Sequence, residues 1–94
     1  MDFSVEHDVE NHQFYMVIEG YMCFLNYRVL RDSHTLDYQS TFVPPELRGR
    51  NLGQVLVKYA LDYARDNQFK IIPTCPFIKK YIDNHPEYGE LVKN

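Results

Sequence analysis

The chain has 94 residues, a formal net charge of −3 at pH 7, and 45% apolar and 24% charged side chains, which reads as one domain over residues 1–94 with a modest core. The overall acidity excludes a general nucleic-acid binder, whose domain would be basic, and no apolar run approaches the ~18 residues that cross a bilayer. Two cysteines far apart, Cys23 and Cys75, together with no secretory leader, lead us to expect a cytoplasmic protein with reduced thiols.

In chain order, Phe3 to His7 alternates as a short edge strand, and Asp8 to Asn11 is a polar turn. Gln13 to Glu19 is a second strand, with Phe14, Met16 and Ile18 on one side and Tyr15 and Val17 on the other, apolar enough to be buried to some degree on both faces. Glu19-Gly20 is a tight turn, and Tyr21 to Leu30 is the longest β run. After a loop at Arg31 to His34, Thr35 to Val43 reads as a fourth strand. It sets Leu36, Tyr38, Ser40 and Phe42 against Asp37, Gln39, Thr41 and Val43. Loops this short make an antiparallel meander.

The period then changes to 3.6. Leu52, Val55, Leu56, Tyr59, Ala60 and Tyr63 form an apolar stripe, widened by Val57, Leu61 and Ala64, on a helix expected to end in a left-handed Asn67. Phe69 to Thr74 is a fifth strand, and a right-handed strand–helix–strand crossover sets it parallel to the fourth. Pro76 opens a last helix with Phe77, Ile78, Tyr81 and Ile82 on its apolar face, and Asn84-His85-Pro86 stops it. Tyr88, Leu91 and Val92 in the tail are placed to pack back. The fold class is therefore α+β: a four-strand antiparallel meander, a βαβ unit and a C-terminal helix.

The stretch that carries chemistry is Val43 to Gln54. A basic, glycine-containing turn at the mouth of a helix is an anion site, because the first N–H groups lack partners and the macrodipole is positive there. Arg48 and Arg50 add charge, Gly49 and Gly53 allow close backbone approach, and Asn51 is placed as a helix cap with Gln54 as its capping-box partner. Leu52 lies between them in the same first turn. We read residues 48–54 as a pyrophosphate cradle. Residues 1–45 carry a balance of −5, residues 46–80 +4 and residues 81–94 −2, so the positive part of the chain holds the cradle. Cys75, at the N-cap of the last helix, lies where the dipole favours a thiolate, with Lys79 and Lys80 near in sequence. Cys23, mid-strand among large apolar residues, reads as core. His7, His12, His34 and His85 are too scattered for a metal site, although His7 and His12 can face each other across the first hairpin.

Val43-Pro-Pro-Glu-Leu-Arg-Gly-Arg-Asn-Leu-Gly, followed by Val-Leu-Val-Lys-Tyr-Ala, resembles the acetyl-CoA signature of the GCN5-related N-acetyltransferases. The chain is most similar to a small single-domain branch with a Cys-Pro-Phe turn before the last helix, here Cys75-Pro76-Phe77. The resemblance implies the acyl-CoA N-acyltransferase fold over residues 1–94. It further implies transfer of an acetyl group from acetyl-CoA to an unidentified amine. Backbone amides of the 48–53 turn would hold the CoA pyrophosphate, and Val43 would meet the pantetheine arm where strands four and five part. Tyr81 matches the place of a tyrosine that larger members use to protonate the departing thiolate, a core tyrosine being the alternative; Cys75, from its N-cap position, reads as an acetyl-accepting nucleophile or an acid/base near the thioester, with an inert buried cysteine as the alternative. Asn51 replaces the middle glycine of the turn. The two helices that follow the first strand in larger members are missing, as in the small branch. Ser40-Thr41 stands where that branch often has His-Thr, so a candidate general base is missing. The expected partners are acetyl-CoA and an amine, with no nucleic acid, membrane or metal, in a monomer or weak homodimer. A CoA-binding module without efficient transfer and a protein-interaction domain are the alternative readings.

Overall fold

The structure, a computed structural model, describes residues 4–93; Phe3, the expected start of the edge strand, lies outside the described residues. Strands β1 (Glu6–Asp8), β2 (Gln13–Ile18), β3 (Tyr21–Leu30) and β4 (Thr35–Phe42) run as an antiparallel meander. Helix α1 (Leu52–Asp66) then crosses over to β5 (Lys70–Ile72), which pairs parallel to β4. Helix α2 (Pro76–Asn84) and a 3-10 segment (Pro86–Leu91) follow. The sheet order is β1-β2-β3-β4-β5, and both the meander and the parallel fifth strand are as expected. Among the described residues no helix is long and apolar enough to cross a membrane.

One face of the sheet holds the core. Phe14, Met16, Cys23, Leu25, Tyr27, Leu36 and Tyr38 are buried against Leu52, Leu56, Val57, Ala60, Leu61 and Ala64 of α1. The Tyr38 hydroxyl crosses the layer and donates to the Ala60 carbonyl at 2.5 Å. The helix is rotated from the expected stripe. Val57, Leu61 and Ala64 are fully buried, whereas Tyr59 is 43% exposed. Small side chains allow the helix to sit close to the sheet, and tyrosine keeps its hydroxyl wet at the rim. On β2 the Phe14–Met16 side is buried, while on the other side Tyr15 is half-buried and Val17 is 59% exposed, so the second face is buried only in part. A four-residue turn joins β1 to β2, so no helix follows the first strand to lie on that face.

The alternation expected along β4 breaks at Gln39. Tyr38 pairs with Tyr27 and Ser40 with Asn26, which leaves Gln39 as an extra residue in the ladder. Such a bulge re-aims every following side chain. Thr41 therefore turns toward the core side, and Phe42 goes to the open face, where its ring lies 5.4 Å from that of Phe24. At the other helix end, the left-handed residue is Gln68 (φ 62), not Asn67 (φ −106). Asn67 instead closes α1 with its side-chain amide on the Tyr63 carbonyl at 2.9 Å. The tail packs back as expected, with Tyr88 buried and its hydroxyl donating to Asp62 at 2.6 Å.

His7 closes the edge of the core. Its ring stacks on Phe14 at 4.1 Å, meets Tyr63 edge-on at 4.5 Å, and its Nε2 lies 2.7 Å from the Tyr27 hydroxyl. Burial pushes the Tyr27 phenol up to about 12 and holds the His7 imidazole below its usual value, against a smaller upward pull from Asp8. The unfolded chain thus binds this proton more readily, so stability rises with pH from the lowered folded value up to ~6.5. Urea midpoints taken near pH 7.5 and ~5.5 should fall more steeply for the wild type than for His7→Phe. Equal pH slopes would remove His7 as the cause.

Candidate active site

The chain leaves β4 at Phe42, passes Val43-Pro44 and makes a 3-10 turn over Pro45–Leu47, anchored by the fully buried Leu47. Gly49 (φ 87) and Asn51 (φ 61) then turn the backbone into α1. Position 49 takes the left-handed conformation at no steric cost because it is glycine, and asparagine tolerates it best among the others. The capping box is not formed: Asn51 makes no side-chain cap hydrogen bond. An N-cap normally has extended backbone, which aims its side chain at the N2 and N3 amides; the left-handed conformation of Asn51 does not. Its carbonyl still accepts the first helical bond, from Val55 N at 3.2 Å. The result is a helix N-terminus whose amides face outward without a side-chain acceptor. Asn51→Gly should preserve the turn, whereas Asn51→Val should cost about 1–2 kcal/mol from left-handed strain alone. Denaturant midpoints would check this, and an unchanged Asn51→Val midpoint would contradict it.

The two arginines are held by the chain's own acceptors. Arg48 donates through Nε to the Val43 carbonyl at 2.9 Å. Arg50 pairs with Glu19, at the tip of the β2–β3 hairpin, at 2.5 Å. Both cations are exposed and lie around the uncapped helix end. Val43, Leu47, Arg48, Gly49, Asn51, Leu52, Gly53, Gln54 and Phe77 line one cleft of about 260 Å³. Seven of the eight cradle residues of the sequence reading therefore line it; Arg50 does not, its guanidinium being engaged by Glu19. A Cβ on Gly53 would lie 3.0 Å from the Phe77 ring and 3.7 Å from Val43, so the absence of a side chain there lets α2, Val43 and the turn converge.

Beyond this cleft β4 and β5 part. Their last paired rung is Asp37 with Ile72, after which the Cys75 N–H donates to the Tyr38 carbonyl at 3.0 Å. Cys75 is 6% exposed at the N-cap of α2, with its Sγ 3.7 Å from Thr41 Oγ1. The bulge at Gln39 is what delivers Thr41 to this thiol. Lys79, expected to add potential beside Cys75, instead pairs with Asp83 one turn on, at 3.3 Å. Cys23 is fully buried, and desolvation pushes its thiol up, as suits a core residue.

A second cleft continues past Gln54 and Phe77 to Lys80, Tyr81, Asn84 and His85. Tyr81 stacks on His85 at 3.9 Å, and burial raises its phenol above the usual value. Tyr81 and Cys75 lie six residues apart, about 9 Å along the axis of α2, and Tyr81, not Cys75, is a lining residue of this second cleft. Phe77 was assigned only to the core of α2 in sequence, yet it forms a wall of both clefts and is 39% exposed. Its position two residues after Cys75, on the outer side of the helix, was the available signal.

Three comparisons bear on this geometry. A family model described as GCN5-related N-acetyl-transferase matches residues 13–91. Protein NATD1 of Danio rerio is 34% identical over 92 residues, covering 94% of this chain and 83% of that protein. Human Protein NATD1 is 34% identical over 85 residues, covering 87% and 74%. A solution NMR structure of a GCN5-like N-acetyltransferase candidate from Staphylococcus aureus superposes with a TM-score of 0.75, covering 98% of this chain and 89% of that one. At 24% identity it shows the shared fold.

Proposed function

The chain belongs to the GCN5-related N-acetyltransferase family, and on that premise we propose that it transfers an acetyl group from acetyl-CoA to an amine. Family and fold support an acyltransferase. One observation carries the cofactor reading: a helix N-terminus without a side-chain cap, entered through left-handed Gly49 and Asn51, flanked by two arginines where β4 and β5 part. Open sheets bind ligands in such crevices beyond their strand ends.

In this reading the amides of Leu52, Gly53 and Gln54 hold a diphosphate, with Arg48 as the nearest cation. Arg48 first releases the Val43 carbonyl, which then pairs with an extended amide-bearing arm. Arg50 is shared with Glu19, so Glu19→Gln should tighten the site severalfold by freeing a full charge. The cofactor supplies an acetyl thioester. Cys75 presents its thiol in the splay beside Thr41, and Tyr81 keeps its proton at neutral pH in the adjoining groove. When the protein is incubated with acetyl-CoA and digested, the peptide containing Cys75 should carry an acetyl group, and Cys75→Ala should carry none. CoA binding without acetylation of Cys75 would remove the covalent route and leave direct transfer.

A further inference from the structure

Among the described residues, one carboxylate is buried. Asp37, between core residues Leu36 and Tyr38 on β4, points to the face away from α1 and is 7% exposed. The Thr74 hydroxyl donates to its Oδ1, while its Oδ2 meets only Arg28 Nη2, at 3.7 Å. That separation is beyond hydrogen-bond distance, and the Arg28 side chain is 63% exposed. We propose that Asp37, clipped by Thr74 where β4 and β5 part, is the site that receives the primary ammonium group of the acceptor.

Burying a carboxylate is costly unless charged or hydrogen-bonding partners offset it. A mere clip between β4 and the β5–α2 linker needs only a neutral acceptor for Thr74, which an asparagine would supply. The charge therefore calls for a cation. An exposed arginine at 3.7 Å is a weak claimant, and its long arm can swing aside. Asp37 also stands at the right point on the fold. It forms the last paired rung before the splay, and the next carbonyl along, that of Tyr38, holds Cys75. Asp37, on the face away from α1, and the β4 carbonyl that holds Cys75 are thus successive positions at the point where the strands part. The open face continues through Ser40 and Asn26 to the half-buried Phe24 and the exposed Phe42 and Met22. An ammonium on an unbranched aliphatic stem, as in a lysine side chain, suits a lone carboxylate with apolar surface beyond it.

The site rests on the acceptor-amine reading above, and one sample separates the two. Isotope-labelled protein is titrated with Nα-acetyl-lysine methylamide, with the norleucine analogue as neutral control, and then with CoA. Saturable amide shifts at Asp37 and Thr74 for the lysine probe alone are expected, with binding about tenfold weaker in Asp37→Asn and CoA shifts unchanged. No lysine-specific shifts, equal shifts with norleucine, or undiminished binding in Asp37→Asn would overturn the proposal. If Asp37→Asn fails to fold, the comparison of lysine with norleucine on wild type decides. CoA shifts without lysine-specific shifts would overturn the role of Asp37 alone. Lysine-specific shifts without CoA shifts would overturn the acetyltransferase reading and leave the ammonium site standing.

Discussion

Arg48→Glu should weaken CoA binding about a hundredfold, roughly 2.7 kcal/mol. Charge-assisted hydrogen bonds to phosphate are among the strong ones, and reversal adds repulsion at the helix mouth where the macrodipole asks for an anion. Arg48 also holds the Val43 carbonyl in the free protein, so the substitution removes the group that trades that carbonyl for a ligand. The change is at an exposed turn, which predicts a near-native denaturation midpoint. The gap between variant and wild type should narrow at high salt, since exposed charges are screened. Calorimetric titration of both proteins with CoA at low and high salt checks this. Equal affinities would move the diphosphate off the turn.

Phe14→Ala should have the largest effect on stability. The ring is fully buried, stacks on His7 at 4.1 Å, and lies 5.4–6.2 Å from Tyr27, Tyr38, Tyr59 and Tyr63. Truncating such a phenylalanine costs about 3–5 kcal/mol, against about 5–15 kcal/mol for a whole small domain. A domain of this size has little core to spare. Strand β1 has three residues and is held largely by the His7 stack and the pairing with β2, so it should loosen first. Urea unfolding should show a greatly lowered midpoint, with CoA affinity retained at low temperature because Phe14 lies away from the turn. Phe14→Leu should recover part of the loss. A midpoint within experimental scatter of wild type would show that the aromatic cluster is dispensable.

The sequence carried the elements that depend on local pattern. Period-two runs gave the meander, Leu52 to Asp66 gave the helix, and the strand–helix–strand order gave the parallel β5. The turn from Arg48 to Gln54 was legible because glycine, asparagine and arginine there each have a backbone or charge reason to be present. What escaped depends on pairing across the fold. The bulge at Gln39 is a mismatch between two strands, and no feature of β4 alone announces it; yet it aims Thr41 at Cys75. Asp37 looked like an outward residue of an alternating strand, and only the linker's Thr74 shows it to be buried. The Glu19–Arg50 pair joins positions 31 residues apart, so the arginine that looked free in sequence is engaged. Asn51 was placed as a cap and as the replacement for the turn's middle glycine, and the two positions ask for different backbones. The backbone took the second, which is what leaves the helix end open.

The most direct test of the central claim is an amide-resolved NMR titration of the wild-type protein with CoA. The expected result is saturable shifts concentrated at Gly49 to Gln54 and Val43, with smaller ones at Cys75 and Phe77. No shifts, or shifts confined to the open sheet face, would contradict the assignment of this turn as the cofactor cradle.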